Sequence, residues 1–481
     1  MAQALRIVGL LLMAFSLSML PPLAVSLLYQ DGAWQAFVIG FGVVSGLGLL
    51  LWLALYRHRR ELSRRDGFLV VALFWIVLGS AGAVPLWVAD NPAIGVTDAL
   101  FESISGITTT GSTILTGIEY LPESIQFYRQ QLQWLGGMGI IVLALALLPM
   151  LGVGGMQLYR AEMTGPMKDK KLTPRIAETA KSLWLIYCLI TLACALAYYL
   201  AGMSVFDAIS HSFSTVAIGG YSTYDASIGH FDSHAIELIA SVFLLISAAN
   251  FGLHFLAWRS RGLGHYLRDP EFRFFLLWMA GLLAVVILGV WYFGVHDDPW
   301  TGFVKATFNT ISVATTTGYT SDDFAAWPAF LPVILIFASF VGACAASTGG
   351  GIKAVRALLL IKQGGREIMR LVHPAAEIPV KLGHRVVPDR VISAVWAFFS
   401  VYVAIYVLMM VLLMATGEDQ VTAFSAVAAT LNNLGPGLGD VASNMQTLDP
   451  LAKWAMMLSM VLGRLEIFTL LVILTPAFWR R

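Results

Sequence analysis

Thr316-Thr317-Gly318-Tyr319 is a short polar run in a very hydrophobic chain, and its residue types suit one chemistry. Threonine hydroxyls and a glycine-bearing backbone can line up oxygens around a dehydrated monovalent cation. One such run is weak evidence, because Gly-Tyr after Thr is common in loops. The pattern recurs, however, at Thr109-Thr110-Gly111-Ser112, at Ile218-Gly219-Gly220-Tyr221 and at Asn433-Leu434-Gly435-Pro436. The glycines at 111, 220, 318 and 435 are separated by 109, 98 and 117 residues.

A repeat should be sought before single residues are interpreted, and this one is far too long for a solenoid. About a hundred residues hold two membrane-spanning helices with a pore loop between them. Each run follows a short helical segment, predicted over 97–108, 204–216, 301–314 and 420–432. Each is bracketed by apolar stretches long enough to span, about 20 residues apiece. Ten such stretches are predicted: 5–28 and 36–56, then outer and inner helices at 67–89 and 126–151, 180–202 and 234–258, 271–294 and 326–361, and 390–416 and 450–478. The expected fold is an all-α integral membrane protein: an N-terminal helix pair (1–60) and four pseudo-symmetric helix–pore loop–helix units (61–165, 166–262, 263–375, 376–481) around one pore. The first apolar stretch exceeds the length of a signal-peptide core, so it reads as a retained helix.

Composition agrees. Of 481 residues 58% are hydrophobic and 12% charged, with a net charge of +1; a soluble domain carries about twice that charge. Nothing suggests nucleic acid. Cys188, Cys194 and Cys344 all sit in apolar stretches and imply no disulfide framework. Arginines and lysines gather at 57–65, in the spacers 159–181, 258–273 and 362–390, and at the termini. The opposite loops hold Asp31, Asp90, Glu123, Asp225, Asp232, Asp297, Asp298, Asp322, Asp323, Glu418 and Asp440. Basic residues stay cytoplasmic, so both termini are expected inside and the four loops are expected to open outside.

Non-helical backbone at membrane depth is tolerated only when buried in protein or lining a water-filled cavity. The four loops therefore need a ligand for their oxygens, and pore helices aim partly negative C-terminal ends at the same place. The run at 316–319 parallels the first four residues of the K⁺-channel filter TVGYG, whose carbonyls replace the ion's water shell. No loop keeps that motif whole, which predicts a cation-selective filter with fewer well-formed sites.

A second feature is Gly349-Gly350-Gly351, in mid-span of the third inner helix. Each glycine costs about 1 kcal/mol in a helix relative to alanine, so this stretch is expected as a loop under the filter, placed to act as a gate. Lys353 ends it. Arg464 and Glu466 lie within the last span, where an ionisable residue is a functional candidate by default. Arg464 would repel a cation or hydrogen-bond the loop's carbonyls; a structural pair with Glu466 is the alternative. Asn250 and His254 are expected to share a helical face, Arg129 and Gln130 to brace the filter, and Lys305 has no assigned place. The run 347–353 only superficially suggests a phosphate loop, since isoleucine precedes its lysine and alanine follows; no nucleotide is expected on this chain.

These residues resemble the TrkH/KtrB superfamily of bacterial K⁺ transporters, on the TrkH side. The resemblance is carried by Phe101-Glu102-Ser103-Ile104-Ser105-Gly106-Ile107-Thr108-Thr109-Thr110-Gly111, Gln133-Trp134-Leu135-Gly136-Gly137-Met138-Gly139, Asn250-Phe251-Gly252-Leu253-His254, Ser347 to Lys353, and Gly463-Arg464-Leu465-Glu466. It implies K⁺ uptake, a homodimer in the inner membrane and a TrkA-like cytoplasmic partner that binds NAD or ATP, with K⁺ as transported ion. Two rivals stand beside it. A Na⁺- or H⁺-coupled K⁺ symporter would need an intramembrane carboxylate, for which Glu102 and Glu466 are the candidates. A non-transporting receptor would leave the four loops unexplained.

Overall fold

The computed structural model describes residues 2–57, 64–142 and 172–480. It is an all-α membrane protein built as an N-terminal helix pair and four helix–pore loop–helix units; among the described residues the only strands form a small hairpin, Lys381–Leu382 with Arg385–Val386. The first span, Ala2–Tyr29, is interrupted by a 3-10 turn at Leu17–Met19. Pro21 and Pro22 follow that turn, and neither can donate to the preceding turn of helix.

Outer helices run Arg64–Val88, Leu172–Leu200, Pro270–Tyr292 and Asp389–Ala415. Pore helices run Val96–Ile107, Val205–Ala217, Pro299–Ala314 and Gln420–Leu431. Ser204, Asp298 and Asp419 cap the last three, accepting from the backbone of Asp207, Thr301 and Val421. Such caps satisfy amides the helix leaves open.

The inner helices are less regular than the outer ones, and the expected break in the third is present. Among the described residues six helices are long and apolar enough to cross a membrane, and eight if each bent pair is one span, against ten predicted. The two short of ten are informative. The first inner helix, Glu123–Val142, carries Arg129, Gln130, Gln131 and Gln133 and is described only to Val142, so its predicted end at 151 lies outside the described residues, as does most of the spacer 159–181. The third divides into Phe330–Val341 and Ala354–Val372. The other two, read from the sequence as the spans 234–258 and 450–478, are bent. The second turns by 90° between His234–Ala248 and Phe251–Ser260, and the fourth by 112° between Pro450–Arg464 and Phe468–Leu474.

The repeat is legible in hydrogen bonds. Each pore helix ends in the same five-residue closure: Thr110 N to Ser105 O, Gly219 N to Ser214 O, Thr317 N to Ser312 O and Leu434 N to Ala429 O, at 2.7–2.8 Å. Four segments of different sequence thus leave their helices in one geometry.

Candidate functional site

On either side of each closing amide the backbone takes left-handed angles, at two positions two residues apart. The pairs are Thr109 and Gly111, Ile218 and Gly220, Thr316 and Gly318, and Asn433 and Gly435, with φ of 51°–68° at the first and 81°–104° at the second. Glycine adopts such angles freely. At Ile218, a β-branched residue with φ 54°, the conformation is an outlier that the surroundings must impose.

The four turns close on one another in cyclic order. A Cβ on Gly111 would fall on Gly219 O, one on Gly220 on Thr317 O, one on Gly318 on Leu434 O, and one on Gly435 would lie 3.0 Å from Thr110 O. Each glycine is pressed by the carbonyl that immediately precedes its neighbour's glycine, from unit one to four and back to one. Side chains reinforce the ring. Ser112 Oγ donates to Gly435 O at 2.8 Å, and Asn433 Nδ2 to Thr110 Oγ1 at 2.9 Å. Tyr221 OH donates to Glu102 O at 2.8 Å and Ser112 O at 3.2 Å, both in unit one. Tyr319 OH reaches His211 O of unit two at 3.2 Å. Pro436 Cδ packs against Gly318.

Charged groups brace the ring from outside it. Arg129, 1% exposed, pairs with Glu102 at 2.7 Å, donates to Ser222 O and lies 4.3 Å over the Tyr221 ring. Gln130 donates to Tyr221 O, and Gln133 to Gly219 O while accepting from Tyr221 N. Lys305, left unplaced by the sequence, pairs with Glu237 at 2.7 Å and donates to Ser321 O. Lys453 pairs with Asp98 at 2.8 Å. The sequence reading did not single out Lys453 and Glu237, although each is a charge inside an apolar run. Outside the spans, the Thr301 and Thr422 hydroxyls hold the Asp298 and Asp419 carboxyls below the usual carboxylate range.

Directly beneath the ring lies the segment Gly342 to Lys353. Thr348 Oγ1 donates to Val216 O at 3.0 Å, Gly350 N to Thr316 Oγ1 at 2.6 Å, and Gly351 N to Asn432 O at 3.0 Å. There is no room for a side chain at its centre: a Cβ on Gly349 would stand 2.9 Å from Thr315 O, and one on Gly350 would fall on Asn432 O. Arg464 completes the set from the last inner helix. Its Nε donates to Thr108 O at 2.7 Å, its Nη2 to Thr109 Oγ1, and its Nη1 to Thr348 O at 3.2 Å.

Several expectations need correction here. Arg464 does not pair with Glu466; residues two apart do not face each other on a helix, and the helix ends at Arg464. Glu466 pairs instead with Arg356, which also lies 4.3 Å over Phe398. Lys353, which the sequence placed only at the end of the loop, turns its ammonium back to donate to Gly349 O and is 8% exposed. Asn250 shares no helical face with His254. It caps the segment after the bend, accepting from Gly252 N at 2.7 Å, while His254 bonds Tyr266 and Ile246 O. Glu271, unnoticed in the sequence, accepts from Ala345 N and Val355 N and so holds both ends of the loop. A cavity of about 40 Å³ beneath the loop is lined by Lys353, Arg356, Tyr402, Arg464 and Glu466 among others, room enough for ordered water.

The comparisons with known proteins are consistent with one another. The family described as TrkH, cation transport protein, matches residues 33–480. A Trk system potassium uptake protein TrkH of Halomonas elongata is 58% identical over 477 residues, 99% of each chain. One from Escherichia coli K12 is 55% identical over 475 residues, covering 99% of this chain and 98% of its own. The crystal structure of the potassium transporter TrkH from Vibrio parahaemolyticus superposes with a TM-score of 0.93 at 56% identity, over 100% of this chain and 99% of that one.

Proposed function

The chain belongs to the TrkH family of cation transport proteins, a transporter family rather than an enzyme family, and from that membership we propose that it is a potassium uptake protein of the Trk system with one pore per chain. K⁺ passes between the four loops, loses its water to their oxygens, and moves down its electrochemical gradient. The segment around Gly349–Gly351 closes the path from below and Arg464 latches it. Opening requires that segment to move, driven by a TrkA-like cytoplasmic partner that binds NAD or ATP; this chain binds no nucleotide. The protein is multi-pass. It sits as a homodimer in the inner membrane, with both termini cytoplasmic.

One observation carries this reading: four loops with the same left-handed pair of residues contact each other in a closed cycle, with hydrogen-bond donors of a single segment gathered beneath them. The coupled carrier is less favoured, because the two carboxylates the sequence offered for it are already paired, Glu102 with Arg129 and Glu466 with Arg356. The test is ⁸⁶Rb⁺ flux into proteoliposomes with and without the partner. Flux that the partner raises, at a reversal potential equal to that of K⁺, is expected. A reversal potential displaced in a fixed ratio by Na⁺ or H⁺ would instead establish the carrier, and absence of flux under every condition would end the transport reading.

A further inference from the structure

The donors of the closed segment and of Arg464 are distributed over all four units. In unit one Arg464 takes Thr108 O and Thr109 Oγ1, in unit two Thr348 takes Val216 O, in unit three Gly350 N takes Thr316 Oγ1, and in unit four Gly351 N takes Asn432 O. Every acceptor is a carbonyl or hydroxyl oxygen at the inner end of a pore helix or within two residues past it. A helix C-terminus carries a partial negative charge, and four of them converge here. Oxygens so arranged bind either positively polarised N–H groups or a cation, because each lone pair serves one partner at a time. The Lys353 ammonium, bonded to Gly349 O, adds a second tethered positive charge within the same segment.

We propose that these oxygens form an innermost site for a monovalent cation, and that the closed segment and a permeant ion compete for it. The proposal rests on the reading of this chain as a K⁺ pathway and adds a regulation that reading does not contain. Binding to one of two states shifts the balance toward that state, and the coupling is reciprocal. K⁺ at the inner site therefore favours release of the segment, and closure of the segment lowers the affinity of the inner site for K⁺. The partner protein would then act on a gate that its own substrate already loosens. An ion that cannot shed its water to reach these oxygens has no such effect.

Cys344 supplies a reporter within the segment. It is 1% exposed, and its amide donates to Ala248 O, so its thiol is reached only when the segment leaves its seat. In the full-length protein carrying Cys188→Ala and Cys194→Ala, reconstituted in nanodiscs, the rate of modification by N-ethylmaleimide is measured as K⁺ or Rb⁺ replaces N-methylglucamine at constant ionic strength. The rate is expected to rise by about threefold or more, following the factor 1 + [K⁺]/Kd by which a state-selective ligand weights its state. It should stay flat with N-methylglucamine alone. A rate that is independent of K⁺, or that falls as K⁺ rises, overturns the competition. ⁸⁶Rb⁺ flux through the same preparation in liposomes, with and without the partner, separates the two claims: flux with a K⁺-independent rate removes only the competition, whereas no flux even with the partner removes the transport reading beneath it.

Discussion

Gly318 and Gly350 occupy positions where the backbone leaves no room for a side chain. At Gly318 the backbone has φ 81° and a Cβ would fall on Leu434 O. A left-handed angle costs a residue with a Cβ about 1–2 kcal/mol, and every 1.4 kcal/mol is about tenfold in a binding constant. Gly318→Ser should therefore lower K⁺/Na⁺ discrimination by about tenfold, read as a permeability ratio from reversal potentials; an unchanged ratio would remove this turn from the ion path. At Gly350 the collision is with Asn432 O, so Gly350→Ala should keep the segment from seating and raise basal ⁸⁶Rb⁺ flux without the partner. Lower flux in that variant would contradict a plug. These two glycines were legible in the sequence because recurrence and a triple-glycine run marked them. The roles of Arg464 and Glu466 were only half legible. A charge in an apolar span announces itself, but its partners lie more than a hundred residues away in the chain and leave no local trace.

Elements divide in the same way. Outer and pore helices were readable from apolar runs, hydroxyl-rich segments and capping residues, all of which act locally. The bends in the second and fourth inner helices were not. Neither Ala249-Asn250 nor Leu465-Glu466-Ile467 contains proline, the usual sign of a kink. The first bend is set by the segment under the filter, which bonds both of its sides: Cys344 N donates to Ala248 O, and Phe251 N donates to Ala346 O. The break is thus a tertiary feature, imposed by a loop nearly a hundred residues downstream. Glu271 anchors that loop from the third outer helix, accepting from Ala345 N and Val355 N at 2.6 and 3.2 Å. Removing it leaves amides in the protein interior without these acceptors, at about 1–3 kcal/mol each. Glu271→Ala should lower the unfolding temperature and raise basal flux together, whereas Glu271→Gln, which keeps an acceptor oxygen, should restore most of both. If thermal stability falls while basal flux stays at the parent level, the carboxylate supports the fold without holding the gate.

For the whole molecule, the question is which way the ring faces. The pore helices descend from loops rich in carboxylates, and the segment with Lys353 and Arg464 lies at their lower ends. The start of the first outer helix and the C-terminus meet on that lower side, where Arg65 donates to Arg480 O at 2.7 Å. Basic residues are retained in the cytoplasm, and the orientation proposed above accordingly has the carboxylate-bearing mouth opening outward. Tyr120, 82% exposed, lies in the loop between the first glycine turn of the ring and the first inner helix. His384 lies exposed at the turn of the Lys381–Val386 hairpin, which follows the segment Gly342 to Lys353 in the chain. In a chain with Cys188, Cys194 and Cys344 replaced by alanine, Tyr120→Cys should react with a membrane-impermeant maleimide in intact cells, and His384→Cys only after permeabilisation. The reverse pattern would turn the ring to face the cytoplasm. The segment under it would then guard the outer side, beyond direct reach of a cytoplasmic partner.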